Sequence, residues 1–220
     1  MSAQVNADQN SPHQISDTRT VYQFKIILIG DSAVGKTSLV NRFMGLDYEE
    51  NISCTISADF KLKSLSLDSS TGVDLTVWDT SGQEKYRSMT RLYFKDAHGV
   101  ILVYDVNNEN SFSGLNIWLN EIKTNCNNVN VSIVLVGNKI DLNDRVISNE
   151  EGKEFAVKNG LLYVETSSKD GININSPFEM LSNDIIQKIN QNQNGYNEQN
   201  LRKIERYDIE REREKEYNCC

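Results

Sequence analysis

Cysteine is scarce in this 220-residue chain: four are present, with Cys54 and Cys126 isolated and Cys219 and Cys220 adjacent at the end. That spacing fits neither a zinc-ligand set nor a disulfide framework, and it points to a reducing compartment. An excess of basic charge is absent too. Lys plus Arg total 23 against 31 Asp plus Glu, a formal charge of −8, which is the wrong sign for a protein that binds nucleic acid by neutralising phosphates. No apolar run approaches the roughly 18 residues of a membrane-spanning helix. The best, GVILVYDV and VSIVLVG, have the length of strands. The opening segment MSAQVNADQNSPHQISDTRT offers neither the basic nor the apolar stretch expected of a secretory leader, and Ser2 stands where myristoylation needs glycine. Hydrophobic residues make up only 38% of the chain, which suits one α/β domain of about 170 residues with end segments outside its core.

Residues 1–20 read as a disordered arm. From Val21 short apolar runs alternate with longer amphipathic stretches, the pattern of a mostly parallel sheet with crossover helices. Strands are expected near Tyr22–Ile29, Asp59–Leu67, Val73–Trp78, Val100–Tyr104, Ser132–Val136 and Leu162–Val164. Helices are expected near Lys36–Met44, Arg87–Lys95, Ser111–Asn125, Ser148–Lys158 and Ser176–Ile189. Only LDSSTG separates the second strand from the third, too short for a helical crossover, so that pair is expected to be antiparallel. Beyond Asn190 the run NQNQNGYNEQN is a polar linker, and the last twenty residues carry six acidic and six basic side chains. Residues 21–190 are therefore the expected domain and 191–220 a flexible, neutral tail.

The first strand runs into Gly30, Asp31, Ser32, Ala33, Val34 and Gly35, followed by Lys36, Thr37 and Ser38, a full GxxxxGK[ST] match where a strand gives way to a helix. Glycines let the backbone wrap an anion, N–H groups and the helix dipole point at phosphates, and Lys36 brings a cation to the β- and γ-phosphates. Thr37 offers a hydroxyl to Mg²⁺. A Rossmann fingerprint is excluded because Ser32 occupies the place of its middle glycine.

Asn138-Lys139-Ile140-Asp141 follows the strand VSIVLVG, at the sheet edge where α/β proteins bind ligands. The Asp141 carboxylate can accept from guanine N1–H and the 2-amino group, donors that adenine lacks in that arrangement. Lys139 can lay its aliphatic stem across the purine, and Asn138 can bond the ring edge or brace the neighbouring loop. After the next strand, Glu165-Thr166-Ser167-Ser168-Lys169 could set backbone N–H groups against guanine O6. Trp78-Asp79-Thr80-Ser81-Gly82-Gln83-Glu84 ends an alternating strand, so Asp79 would hold Mg²⁺, through a water. The Gly82 N–H can approach the γ-phosphate, and Gln83 can orient the attacking water for in-line displacement.

In that order GDSAVGKT, WDTSGQE, NKID and ETSSK resemble the motifs of the Ras superfamily of small GTPases, and over residues 21–190 the chain resembles its Rab family. DTSGQEKYRSMTRLYFKDAHGVILVYDV and CTISADFK are the segments most like that family. The resemblance implies the Ras-like P-loop fold, α/β with a six-stranded, mostly parallel sheet, one antiparallel strand and about five helices. It implies a cycle between GTP and GDP forms and slow hydrolysis without an activating protein. Thr55 matches the switch threonine that reaches Mg²⁺ and the γ-phosphate, Tyr48 the aromatic packed on guanine, and Phe60, Trp78 and Tyr93 an aromatic triad that effectors read. Cys219 and Cys220 resemble a double-cysteine ending for geranylgeranylation, which implies an escort protein, an anchor on the cytosolic face of an internal membrane, and a cytosolic pool. An exchange factor, a GTPase-activating protein, a GDP-dissociation inhibitor and effectors in vesicle trafficking are the remaining implied partners of a monomer. Ser57 and Ala58, Ile52, Ser81 and Ser168 depart from the family pattern. Ser81 places a hydroxyl near the γ-phosphate, where it could disturb the water that Gln83 positions. Two alternatives follow: a GTP-binding scaffold with little hydrolysis, and another P-loop NTPase, which Asp141 opposes.

Overall fold

The computed structural model describes residues 20–55, 58–83, 91–128 and 130–191. In chain order the elements are β1 (Thr20–Ile29), α1 (Lys36–Phe43), β2 (Asp59–Ser66), β3 (Thr71–Asp79), a 3₁₀ turn (Arg91–Phe94), β4 (Gly99–Asp105), α2 (Glu109–Ser113), α3 (Leu115–Asn125), β5 (Ser132–Asn138), α4 (Asn149–Asn159), β6 (Leu162–Thr166) and α5 (Ser176–Gln191). The strands form one six-stranded sheet in the order β2-β3-β1-β4-β5-β6. Every neighbouring pair is parallel except β2 with β3. Asp68 closes that hairpin by accepting from the Ser70 and Thr71 N–H groups, an Asx-type turn. Strands joined by so short a turn have no choice but to run antiparallel.

Alternate residues of β1 point into different layers. Phe24, Ile26 and Leu28 pack with Leu39, Val40 and Phe43 of α1 and Phe178, Leu181 and Ile185 of α5. Ile27 and Ile29 face Leu115, Trp118, Leu119 and Ile122 of α3, with Ala156 of α4 and Phe94. Helices thus cover both faces, and the central strand β4 is buried along its whole length, so its sequence reads as one apolar run. The Phe43 and Phe178 rings stack at 3.6 Å between centroids, and burying each is worth about 1.5–3 kcal/mol.

At their carboxyl ends the strands stop nearly level. Leu28 pairs with Asp79, Asp105 with Asn138, and Asn138 with Thr166. Parallel pairing therefore collects residues from four segments of the chain along one edge.

Two helix expectations are corrected. The helix expected over Ser111–Asn125 starts at Glu109 and breaks at Gly114 into α2 and α3. Asn108 starts it early by accepting from the Asn110 and Ser111 N–H groups, and at the break a Cβ on Gly114 would stand 3.1 Å from an oxygen of Asp31. The described end of the helix expected over Arg87–Lys95 is a 3₁₀ turn, stopped by Asp96 at φ 59°. Thr20 belongs to β1 rather than to the expected arm. The rest of that arm, Ser57, residues 84–90, and the tail from 192 with Cys219 and Cys220 lie outside the described residues.

Candidate functional site

The chain leaves β1 through Gly30, whose φ is 139°. A Cβ there would lie 2.1 Å from the Val103 carbonyl oxygen, so this departure beside β4 admits only glycine. The loop ends at Gly35, the N-cap of α1, where no side chain caps the helix and no acidic residue occupies its first turn. Uncapped N–H groups and the positive end of the dipole are thereby left for an anion. Lys36 is 5% exposed, and its Nζ donates to the carbonyls of Gly30 at 2.9 Å and Asp31 at 2.7 Å. Burial pushes its pKa down to about 8 against the opposing pull of Asp79 and Asp31.

Three oxygen-bearing side chains meet beside that lysine. Thr37 Oγ1 donates to Asp79 Oδ2 at 2.7 Å and lies 3.0 Å from Thr55 Oγ1. Asp79 is buried, and among the described residues its second oxygen, Oδ1, has no hydrogen-bond partner. Burial raises its pKa, while the Thr37 hydroxyl and the Lys36 charge work the other way. A buried carboxylate oxygen left over beside two hydroxyls is a donor set suited to a hard cation such as Mg²⁺.

The residues expected to read the base stand at the ends of β5 and β6. Asn138 is buried, donates to the Val34 carbonyl at 3.0 Å, and accepts from the Thr166 and Ser168 hydroxyls at 2.9 and 3.3 Å. Of the two roles open to it, bracing the loop is the one seen. Ser167 Oγ donates to Asp141 Oδ1 at 2.6 Å, which orients the carboxylate and leaves its other oxygen outside that bond. Lys139 adopts φ 68° and pairs with Asp105 at 2.8 Å. Lys169 is exposed.

A cleft of about 300 Å³ is lined by the loop residues Ser32, Ala33, Gly35, Lys36, Thr37 and Ser38 together with Tyr48, Thr55, Gly82 and Lys139. Ile52 also lines it. Gly82 passes so close to the loop that a Cβ would fall 2.4 Å from the Asp31 carbonyl oxygen and 2.4 Å from Lys36 Nζ. The buried Ser81 turns its hydroxyl to accept from the Gln83 N–H at 3.3 Å. Next to Asp79, Phe60 of β2 and Tyr93 of the 3₁₀ turn flank Trp78 of β3 at 5.2 and 5.0 Å between centroids, and Lys25 Nζ sits 5.5 Å from the Trp78 ring. Phe60 is 52% exposed, whereas Trp78 and Tyr93 also pack on the second core layer.

Several contributors were not among the sequence candidates. Asp105 holds the Lys139 ammonium, and Asn107 Nδ2 bonds both Asp105 and the Lys139 carbonyl. Cys54 and Thr80 line the cleft, and Thr80 Oγ1 donates to the Leu28 carbonyl at 2.6 Å. An acidic residue closing the central strand was the available signal for Asp105, as it was for Asp79.

The sequence matches the profile of the Ras family over residues 25–187. It is 44% identical over 165 residues to the Ras-related protein RIC1 of Oryza sativa subsp. japonica, covering 74% of this chain and 81% of that one. It is 40% identical over 177 residues to the Ras-related protein Rab-8B of Homo sapiens and of Pongo abelii, covering 80% of this chain and 84% of each of those.

Proposed function

This chain belongs to the Ras family of small GTPases, is Rab-like and hydrolyses GTP to GDP and phosphate, and we propose that it works as a Mg²⁺-dependent, membrane-tethered switch in vesicle trafficking. The observation that carries the proposal is the meeting of Thr37, Thr55 and Asp79, from three segments of the chain, beside the buried ammonium of Lys36.

Lys36 neutralises charge on the β- and γ-phosphates, and Asp141 selects guanine by accepting from its N1–H and amino group. Tyr48, Lys139, Ser167, Ser168 and Lys169 complete the base and ribose side of the pocket. Gln83 orients a water whose oxygen attacks the γ-phosphorus in line. The bond from that phosphorus to the bridging oxygen breaks, GDP leaves with the electron pair, and the water's protons end on phosphate and solvent. The Gly82 N–H stabilises charge on the γ-oxygens. Thr37, Thr55 and Asp79 would hold Mg²⁺, which when bound supplies charge neutralisation at the β- and γ-oxygens.

Thr55 and Gly82 have a γ-phosphate to contact only in the GTP form, so hydrolysis should release the segments 46–57 and 80–92. Effectors would read that change at Phe60, Trp78 and Tyr93. Geranylgeranyl groups on Cys219 and Cys220 would tether a monomer to the cytosolic face of an internal membrane. An exchange factor, an activating protein, a GDP-dissociation inhibitor and an escort protein would attend it. A neutral tail lends no electrostatic help, and two lipids suffice where one does not.

A second reading, a GTP-binding scaffold that hydrolyses slowly, is favoured by the Ser81 hydroxyl at the Gln83 N–H. Calorimetric titration with GDP, GTP, ADP and ATP in Mg²⁺, followed by single-turnover phosphate release, tests both readings. Tight binding of guanine nucleotides alone with phosphate release supports the switch, and indifference to them overturns it. Retained membrane binding after replacement of Cys219 and Cys220 by serine would overturn the anchor.

A further inference from the structure

We propose that Trp118 is a positioning residue for the γ-phosphate side of the pocket, acting through the side chain of Asp31; the inference rests on the function proposed above. Trp118 lies in α3 and is 1% exposed. Its indole Nε1 donates to Asp31 Oδ1 at 2.8 Å, joining residues 87 positions apart. The other carboxylate oxygen sits against Gly114, where a Cβ would approach it to 3.1 Å. The second residue of the phosphate loop thus seats its charged group against the α2–α3 junction.

Holding that side chain also holds its peptide. The Asp31 carbonyl is the acceptor for Lys36 Nζ at 2.7 Å, and it is the group that Gly82 meets, at 2.4 Å from a Cβ placed there. Lys36 and Gly82 are the groups assigned to the γ-phosphate, and one peptide spaces them. A buried indole N–H needs an acceptor, and a carboxylate is the strongest available, so the pair locks the loop at this peptide. Without the lock the Asp31 peptide gains freedom: the Lys36 contact, shared by both nucleotides through the β-phosphate, loosens, and the Gly82 contact, made only by the triphosphate, loosens with it. GTP should suffer more than GDP.

The test follows release of a fluorescent non-hydrolysable GTP analogue and of fluorescent GDP from the full chain in Mg²⁺. Trp118→Phe and Asp31→Ala are each expected to speed release of the GTP analogue about tenfold, and of GDP no more than about threefold, as loss of one charge-assisted hydrogen bond implies. The double variant should be no faster than the faster single one, because both remove the same bond. Asp31→Asn keeps an oxygen acceptor for the indole and should release the analogue several-fold more slowly than Asp31→Ala. Equal acceleration of both nucleotides, additive single effects, or agreement between the Asn and Ala variants would overturn the inference. If Trp118→Phe does not fold, the Asn and Ala variants decide alone. A parent protein that binds neither nucleotide overturns the proposed function, whereas a parent that binds both with unchanged variants overturns only this inference.

Discussion

The side-chain amide of Asn138 donates to the carbonyl of Val34 at 3.0 Å across 104 residues of chain. That bond joins the carboxyl ends of β5 and β6, where the base is proposed to sit, to the GxxxxGK[ST] loop, and Thr166 and Ser168 complete the junction by donating to the same side chain. With the nucleotide bound as proposed, this junction would tie binding at one end to binding at the other. Gly35 leaves the space the junction needs, since a Cβ there would fall 2.3 Å from the Asn138 nitrogen.

Asn138→Ala should strand the Val34 carbonyl and the Thr166 hydroxyl in a buried setting, each at a cost of about 1–3 kcal/mol. Both the urea midpoint of the apoprotein and GDP retention should fall, with release at least about tenfold faster. An apoprotein as stable as the parent would show that the junction carries no fold energy.

Chelation of Mg²⁺ is expected to accelerate GDP release, because the buried Asp79 carboxylate then faces the phosphates without a cation between them. In Thr37→Ala, which removes the hydroxyl bonded to Asp79, release should depend far less on free Mg²⁺. A titration of release rate against free Mg²⁺ in both proteins is the measurement, and identical curves would count against Thr37 as a ligand.

Gly82→Ala should impair GTP binding more than GDP binding. The added methyl meets a backbone carbonyl that cannot step aside cheaply, so the residue is forced away from the loop where only the third phosphate could draw it in. The ratio of the two dissociation constants, measured by calorimetry, should shift by about tenfold against GTP for a displacement costing about 1.4 kcal/mol.

Glu165 supplies a pH-dependent contribution to stability. Burial works against its charge, yet bonds from Arg145, Asn149 and Tyr163 outweigh it and lower the carboxyl pKa. Arg145 grips both oxygens, at 2.8 and 3.0 Å. A carboxyl whose folded pKa lies below its unfolded one stabilises above the unfolded value and loses that contribution as pH falls through the folded one. The advantage of the parent over Glu165→Gln in urea should therefore be present at neutral pH and vanish in acid. An advantage that does not change with pH would refute the ion-pair origin.

Ser81→Ala should hydrolyse GTP faster in single turnover, since it removes the hydroxyl that engages the Gln83 N–H. Equal rates would dispose of the slow-scaffold reading.

Much of this was legible from residue order. All six strands lie where the alternating and continuous apolar runs put them, and the single antiparallel pair follows from the brevity of LDSSTG. The packing at Gly114 was not legible, because the group a side chain there would crowd is an aspartate far away in the chain. Nor was the service of Asp105 and Asn107 to Lys139, since an acid at a strand end flags Asp105 as a candidate without naming the side chain it holds, and Asn107 belongs to no spaced motif.

Taken alone, the chain of residues marked the GxxxxGK[ST] loop, the acidic strand end and Asp141 as the proposed base selector, because each is a local pattern whose chemistry depends on residue type and on a strand-to-loop transition. Tertiary structure decided the partnerships: Asn138 with Val34, Thr37 with both Asp79 and Thr55, and Trp118 with Asp31. Those contacts depend on strand order and register in a parallel sheet, where neighbours in space are separated by whole crossovers in sequence, and side-chain directions at such distances carry no trace in local spacing.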